Sequence, residues 1–249
     1  MYWYSTWSWA HELDVSNLSI RDAGDVADPD FEAGEERVFA RMAQLRGTQD
    51  LLIALGGDNA ITFSVAKGLW GHDIATAGLV TVDAHHDIRD GVSNGSPVRR
   101  LIEEAGLPGT RVVQIAISDF ANSPIYAQRA KDYGITVITR AQLRQRTMDS
   151  VMDQALTVAG AGGGQVHYDL DVDVCDRTVA PACPAATPGG LSADEIRELT
   201  FLATRDPRVT SMDITEIDAT IDTDDQRTIR LGALCILEAA SGLAKRKQG

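Results

Sequence analysis

Short apolar, β-prone runs alternate with stretches of helical spacing through most of the chain. Leu51-Leu52-Ile53-Ala54-Leu55 reads as a strand that stops at Gly56-Gly57. Residues 61–69 then carry helical spacing, with either Asp58 or Asn59 available as the N-cap. Further strands are predicted over 78–82, 111–117, 135–139, 165–171 and 209–217, and helices over 123–133, 140–159, 192–203 and 227–244. Ser192-Ala193-Asp194-Glu195 is a capping box, in which the Ser hydroxyl and the Glu three residues on satisfy each other's backbone N–H groups. Strands alternating with helices predict a mainly parallel sheet covered on both faces, a three-layer α/β/α fold. No internal repeat or linker divides the chain, so a single domain over 1–249 is expected.

The N-terminal region is patterned differently. Trp3, Trp7, Trp9 and His11 precede 18–22, which reads as a strand. Residues 24–36 are acidic and loop-like, with a helix beginning near Glu32. Aromatics at this density are expected to pack on the sheet edge or on another subunit.

Composition narrows the function. A chain of 249 residues, 44% hydrophobic, is long enough for one large core. Its net charge of −13 argues against nucleic acid and anionic membrane, which both need a basic footprint. A small-molecule substrate is the remaining partner class. The three cysteines lack CxxC spacing, no secretory signal pattern is visible, and no apolar run reaches membrane-spanning length. A cytoplasmic protein with reduced thiols is expected.

The acidic residues are not scattered. Asp83, His85, Asp87 and Asp90 follow directly on the predicted strand 78–82, and Asp169, Asp171, Asp173 and Asp176 lie at the end of the strand 165–171. Carboxylates placed where buried strands leave a sheet need a compensating charge, and a divalent cation supplies it. In an extended chain Asp83, His85 and Asp87 would point to one side, as would Asp171 and Asp173. Mixed carboxylate and imidazole ligands suit Mn²⁺, Fe²⁺ or Zn²⁺. Two such runs point to one polynuclear site.

Asp83-Ala84-His85-His86-Asp87 resembles the D-A-H-x-D motif of the ureohydrolases, the family of arginase, agmatinase and formimidoylglutamase. Asp171-Val172-Asp173-Val174-Cys175-Asp176 is similar to their D-x-D-x-x-D motif, and Gly56-Gly57-Asp58-Asn59-Ala60-Ile61-Thr62 to their G-G-D-H-S-x-T motif. Pro188-Gly189-Gly190-Leu191-Ser192 and Thr215-Glu216-Ile217 fall in the family's order. The resemblance implies an arginase-like fold, trimers or hexamers, and a two-manganese centre whose bridging hydroxide attacks an amidine or guanidine carbon. It assigns metal ligation to Asp83, His85, Asp87, Asp171 and Asp173, with Asn59 at the sixth ligand position. Asp87 would also orient the hydroxide, and Glu216 would pair with the cationic substrate head.

Three departures bear on this. Asn59 stands where the family usually has His, which implies one loosely held ion; the same residue could instead only cap a helix. Asn94-Gly95-Ser96-Pro97 replaces a His-Gly motif, so the usual proton-shuttling His is missing, and Asn94 and Ser96 become candidate substrate contacts. The family's N-terminal strand region looks shortened. Arg89, two residues past Asp87, matches the D-A-H-x-D-x-R form typical of formimidoylglutamases. A guanidinium there could bind a substrate carboxylate, with Arg99 and Arg100 as further candidates. The expected reaction is hydrolysis of N-formimidoyl-L-glutamate. Alternatives are an agmatinase or guanidino-acid hydrolase, or a catalytically impaired metal-binding homologue with a structural role.

Overall fold

The structure is a computed structural model that describes residues 4–248. Trp3 lies outside the described residues. Two short strands, β1 (Trp7–Ser8) and β2 (Leu13–Asp14), pair antiparallel as a small hairpin. The main sheet contains β3 (Leu52–Leu55), β4 (Gly78–Val82), β5 (Val112–Ile117), β6 (Thr136–Thr139), β7 (Val166–Asp171) and β8 (Val209–Thr215). Their spatial order is β3-β8-β7-β4-β5-β6, with every pairing parallel. β4, β5 and β7 are buried along their whole length, as strands covered on both faces must be.

The helices are α1 (Phe31–Leu45), α2 (Ile61–Trp70), α3 (Pro97–Glu103), α4 (Pro124–Asp132), α5 (Arg140–Leu143), α6 (Met148–Ala159), α7 (Ala193–Thr204) and α8 (Arg227–Arg246). Val80, Val82, Ile115, Tyr168, Leu170 and Met212 form one apolar face of the sheet and pack on residues of α6, α7 and α8. Leu79 and Val112 face the opposite way, toward Phe63 and Trp70 of α2 and Leu101 of α3. The three-layer expectation is met.

That second face is polar at its centre. Side chains alternate along a strand, and paired residues of parallel neighbours share a face. Thr81 of β4 pairs with Asp169 of β7, which pairs with Asp213 of β8. One step nearer the N-terminal ends, His167 pairs with Ser211; its Nδ1 meets Ser211 Oγ at 2.8 Å and its Nε2 meets Asp213 Oδ2 at 3.0 Å. A wholly apolar β7 is therefore not what this fold uses.

Three local expectations are corrected. The helix expected over 140–159 is two helices, because Thr147 caps α6 by accepting from Ser150 N at 3.2 Å. Residues 18–22 form no strand and pair with neither sheet. Of the described N-terminal rings, His11 stacks not on an edge strand but on Phe201 of α7, with ring centroids 3.5 Å apart, while Trp9 is 84% exposed. The three cysteines are free and buried. Among the described residues no helix is long and apolar enough to cross a membrane.

The capping box opening α7 is formed on both sides, with Ser192 Oγ accepting from Glu195 N at 3.2 Å and Glu195 Oε2 accepting from Ser192 N at 2.8 Å. Ser192→Ala should lower stability by about 1 kcal/mol in urea unfolding without changing the slope.

Candidate metal centre

The chain leaves β4 toward β5 on one side and leaves β7 toward β8 on the other. The connections therefore diverge between β4 and β7, and a crevice opens at their carboxyl ends, where ligands bind in open parallel sheets. Asp83 follows β4, Asp171 ends β7, and Glu216 follows β8. A register shift in β5 between Ile115 and Ile117, with Ala116 at φ +75°, bends the sheet beside the crevice.

The acids converge by turns rather than by extended alternation. Asp83 Oδ1 accepts from His85 N at 2.6 Å, and Asp171 Oδ1 accepts from Asp173 N at 2.8 Å. Each is an aspartate side chain bonding the backbone two residues on, which folds the chain back on itself. Asp83 N still donates to Ile115 O of β5 at 3.1 Å, but by Asp87 the chain has turned into the left-handed region at φ +50°. His85 Nδ1 meets Asp173 Oδ2 at 2.6 Å, joining the two acidic segments.

Two groups of ligand atoms result, Asp83 with His85 and Asp173, and Asp83 with Asp87 and Asp171. Within each group the atoms lie within 4.8 Å of one another. Asp83 belongs to both, which is the arrangement two cations sharing a carboxylate would need. Asp83 Oδ2 is buried without a hydrogen-bond partner. Burial pushes the Asp83 and Asp171 carboxyls well above the usual carboxylate range, with repulsion from Asp87 and Asp173 adding to it at Asp83 and from Asp173 and Asp83 at Asp171. Burial likewise brings Asp87 up to about 7. The hydrogen bond to Asp173 raises His85. This donor set fits a pair of divalent cations, whose charge would reverse each of these shifts.

Asn59 is 1% exposed but neither caps α2 nor offers its amide oxygen to the acids. Its Nδ2 donates to Asp87 Oδ2, and its Oδ1 accepts from Thr62 Oγ1 at 2.8 Å and Thr215 Oγ1 at 3.1 Å. The opposite amide orientation would set oxygen against carboxylate. In this arrangement Asn59 steadies Asp87.

Glu216, at φ +65°, accepts from Asn59 N at 3.0 Å and from Asn94 Nδ2 at 3.3 Å through Oε1, and burial raises its carboxyl. Ser96 is fully buried, and its hydroxyl donates to Ser93 O at 2.8 Å, so it closes a turn instead of facing the crevice. Arg89 is exposed at the rim, and its guanidinium makes no hydrogen bond or ion pair among the described residues. Asp90, its obvious neighbour, pairs with Arg129 at 2.7 Å. Arg100 is engaged by Glu35 and Glu104. A cavity of about 290 Å³ adjoins the acids, lined by His85, Asp87, Arg89, Asn122, Ser123 and Tyr126 among others.

Sequence reasoning passed over Asn122 and the bracing of His86 by Gln114. Asn122 ties down the ligand loop, accepting from His86 N at 2.9 Å and donating to Ala84 O at 3.0 Å. His86 is also fixed, its Nδ1 meeting Gln114 Oε1 at 2.7 Å, which makes it a brace for the loop. Asp169 is buried with both carboxylate oxygens unpartnered, directly beneath the ligand row. The two-residue spacing of His167, Asp169 and Asp171 was the available signal for that row.

The chain matches the Arginase family over residues 2–242 and belongs to it. A formimidoylglutamase of Halalkalibacterium halodurans is 33% identical over 247 residues, an alignment covering 96% of this chain and 77% of that one. The crystal structure of the Bacillus subtilis formimidoylglutamase superposes with a TM-score of 0.89 at 31% identity, covering 96% of this chain and 77% of that one. A Trypanosoma cruzi formiminoglutamase solved with manganese gives 0.88 at 25% identity, covering 97% of this chain and 82% of that one.

Because cations bind deprotonated carboxylates, binding here must expel protons from Asp83, Asp87 and Asp171. Calorimetry of Mn²⁺ binding in buffers of different ionisation enthalpy should show proton release, with affinity falling as pH drops below about 7. The raised carboxyls bind more protons folded than unfolded, so their contribution to metal-free stability falls as pH rises toward that value. Melting temperature should accordingly gain more from Mn²⁺ at pH 8 than at pH 5.5.

Proposed function

We propose that this chain hydrolyses N-formimidoyl-L-glutamate to L-glutamate and formamide, using two manganese ions held by Asp83, His85, Asp87, Asp171 and Asp173. The observation that carries the substrate is Arg89, an unpaired guanidinium among the described residues, at the mouth of a cavity that also reaches His85 and Asp87. Agmatine offers it nothing to bind, whereas formimidoylglutamate has two carboxylates. The formimidoylglutamases most similar to the chain support the same choice.

Two divalent cations in this site would supply Lewis acidity and make water a nucleophile near neutral pH. Asp87, steadied by the Asn59 amide, accepts a hydrogen bond from the attacking water and aims it at the amidine carbon. Glu216 faces the same space and pairs with the planar amidinium through its carboxylate. Asn94 Nδ2 donates to the same Glu216 Oε1 that accepts from Asn59 N, which holds the carboxylate in place. Arg89 binds a carboxylate of the glutamyl half and so presents the C–N bond to be broken. Water adds to the carbon, the bond to the glutamate nitrogen breaks, and that nitrogen leaves with a proton.

With an amide at position 59 steadying Asp87 and not acting as a sixth ligand, one of the two ions is held more weakly than the other. The same reading carries a single domain over 1–249, a cytoplasmic location and a homo-oligomer, trimeric or hexameric as the family resemblance implies.

Turnover of formimidoylglutamate, agmatine, guanidinobutyrate and arginine should be compared with Mn²⁺ present. Formimidoylglutamate is expected to lead, and a lead for agmatine would overturn the assignment. Arg89→Ala should raise KM for formimidoylglutamate by roughly tenfold or more while metal content by mass spectrometry stays constant. Glu216→Gln should lose most turnover with both ions retained. An inactive wild-type chain carrying two ions would instead mark a structural homologue.

A further inference from the structure

Arg89 has a free head and a tightly held base. Its N–H donates to Gly95 O at 2.9 Å, and its carbonyl accepts from Arg99 Nε at 2.7 Å. Arg99, on α3, also donates from Nη2 to Gly91 O at 2.5 Å and from its backbone N–H to Asp87 O at 3.2 Å. One residue thus grips the ligand loop at three alternate carbonyls, with Arg89 in the middle. Its Nη1 is anchored to Glu103 at 2.9 Å, which fixes the guanidinium plane.

The other side of Arg89 is set by a missing side chain. A Cβ on Gly95 would stand 2.7 Å from Arg89 Cδ and 2.8 Å from its Nε, so the stem of Arg89 lies across the bare Cα. Gly95 is buried there, and its φ is not in the left-handed region, so an added methyl would displace the flexible end of Arg89 and leave the backbone unstrained. Arg129 completes the enclosure by donating to Ile88 O at 2.8 Å and Asp90 Oδ1 at 2.7 Å.

We propose that Arg99 and Gly95 form a frame that aims the Arg89 guanidinium into the cleft, and that they are positioning residues for recognition of the substrate's carboxylate. The inference rests on the reading of Arg89 as the carboxylate-binding group. A long, unpaired side chain at a rim loses much freedom when it binds, and fixing its base and stem beforehand lowers that cost. Arg99 itself reaches no substrate, since all its polar atoms are directed to the loop and to Glu103 and Glu104.

The test uses the full chain loaded with Mn²⁺ and two substrates, N-formimidoyl-L-glutamate and formamidine, which carries the reacting group without a carboxylate. Arg99→Ala and Gly95→Ala should each raise KM for formimidoylglutamate by roughly tenfold. Its kcat, the metal content and formamidine turnover should stay near wild type. Binding of L-glutamate by calorimetry should weaken in parallel, and Arg99→Lys should recover part of the loss. Gly95→Ala leaves the Arg99 contacts in place, so it decides the matter even where Arg99→Ala fails to fold. Unchanged KM in the variants, or equal losses on both substrates with loss of metal, overturns the frame. A wild-type chain that gains nothing from the carboxylate overturns the reading of Arg89 instead, and does so before any variant is made.

Discussion

The organising constraint is the mutual repulsion of carboxylates buried at the carboxyl ends of β4 and β7. Asp83, Asp87, Asp171 and Asp173 are almost wholly removed from water, and Asp169 and Asp213 lie fully buried just beneath. Water cannot screen them, and His85 and His167 are the imidazoles within hydrogen-bond reach of this set. Such a cluster persists in a folded chain only if positive charge enters it, as protons or as metal. The surrounding architecture serves to keep it assembled. The strand order opens the crevice, the two aspartate turns fold ligands into it, and Asn122 with Gln114 and His86 pins the connecting loop.

Strand ends and acidic runs were legible because each is a local signal. The apolar run that stops at Asp83 and the β-prone run that stops at Asp171 mark where strands leave the core and where the acids gather. The capping box at Ser192 was equally plain. The boundary between α5 and α6 was not, because Arg144, Gln145 and Arg146 all favour helix and only the hydroxyl of Thr147 marks where α6 starts afresh. The expected strand at 18–22 failed for a different reason: β-prone residues form a strand only where an edge is there to pair with them.

Within the site, residue identity was readable and direction was not. Asn59 could be placed beside the acids by its motif, yet whether it presents oxygen or nitrogen depends on Thr62 and Thr215, the latter 156 positions away in sequence. Arg99 and Arg100 stood side by side as candidate anion binders. The structure sends Arg99 outward to loop carbonyls and Arg100 inward to Glu35 and the face of Phe63, 3.8 Å from the ring centroid. Ser96 lay in the right segment and is turned into it. Each of these outcomes is decided by contacts across the fold.

The inward partner gives α3 a wider meaning. Arg100 takes hold of Glu35 through both terminal nitrogens, so α3 is riveted to α1 on the far side of α2. The loop that carries Arg89 therefore hangs from a helix whose own footing lies in the N-terminal part of the chain. Transplanting the ten residues after Asp87 into a relative would move the sequence of that loop without its foundation. Under the proposed role of Arg89, selectivity would be inherited by a block of three helices, and drift at Glu35, well outside the cleft, would retune it.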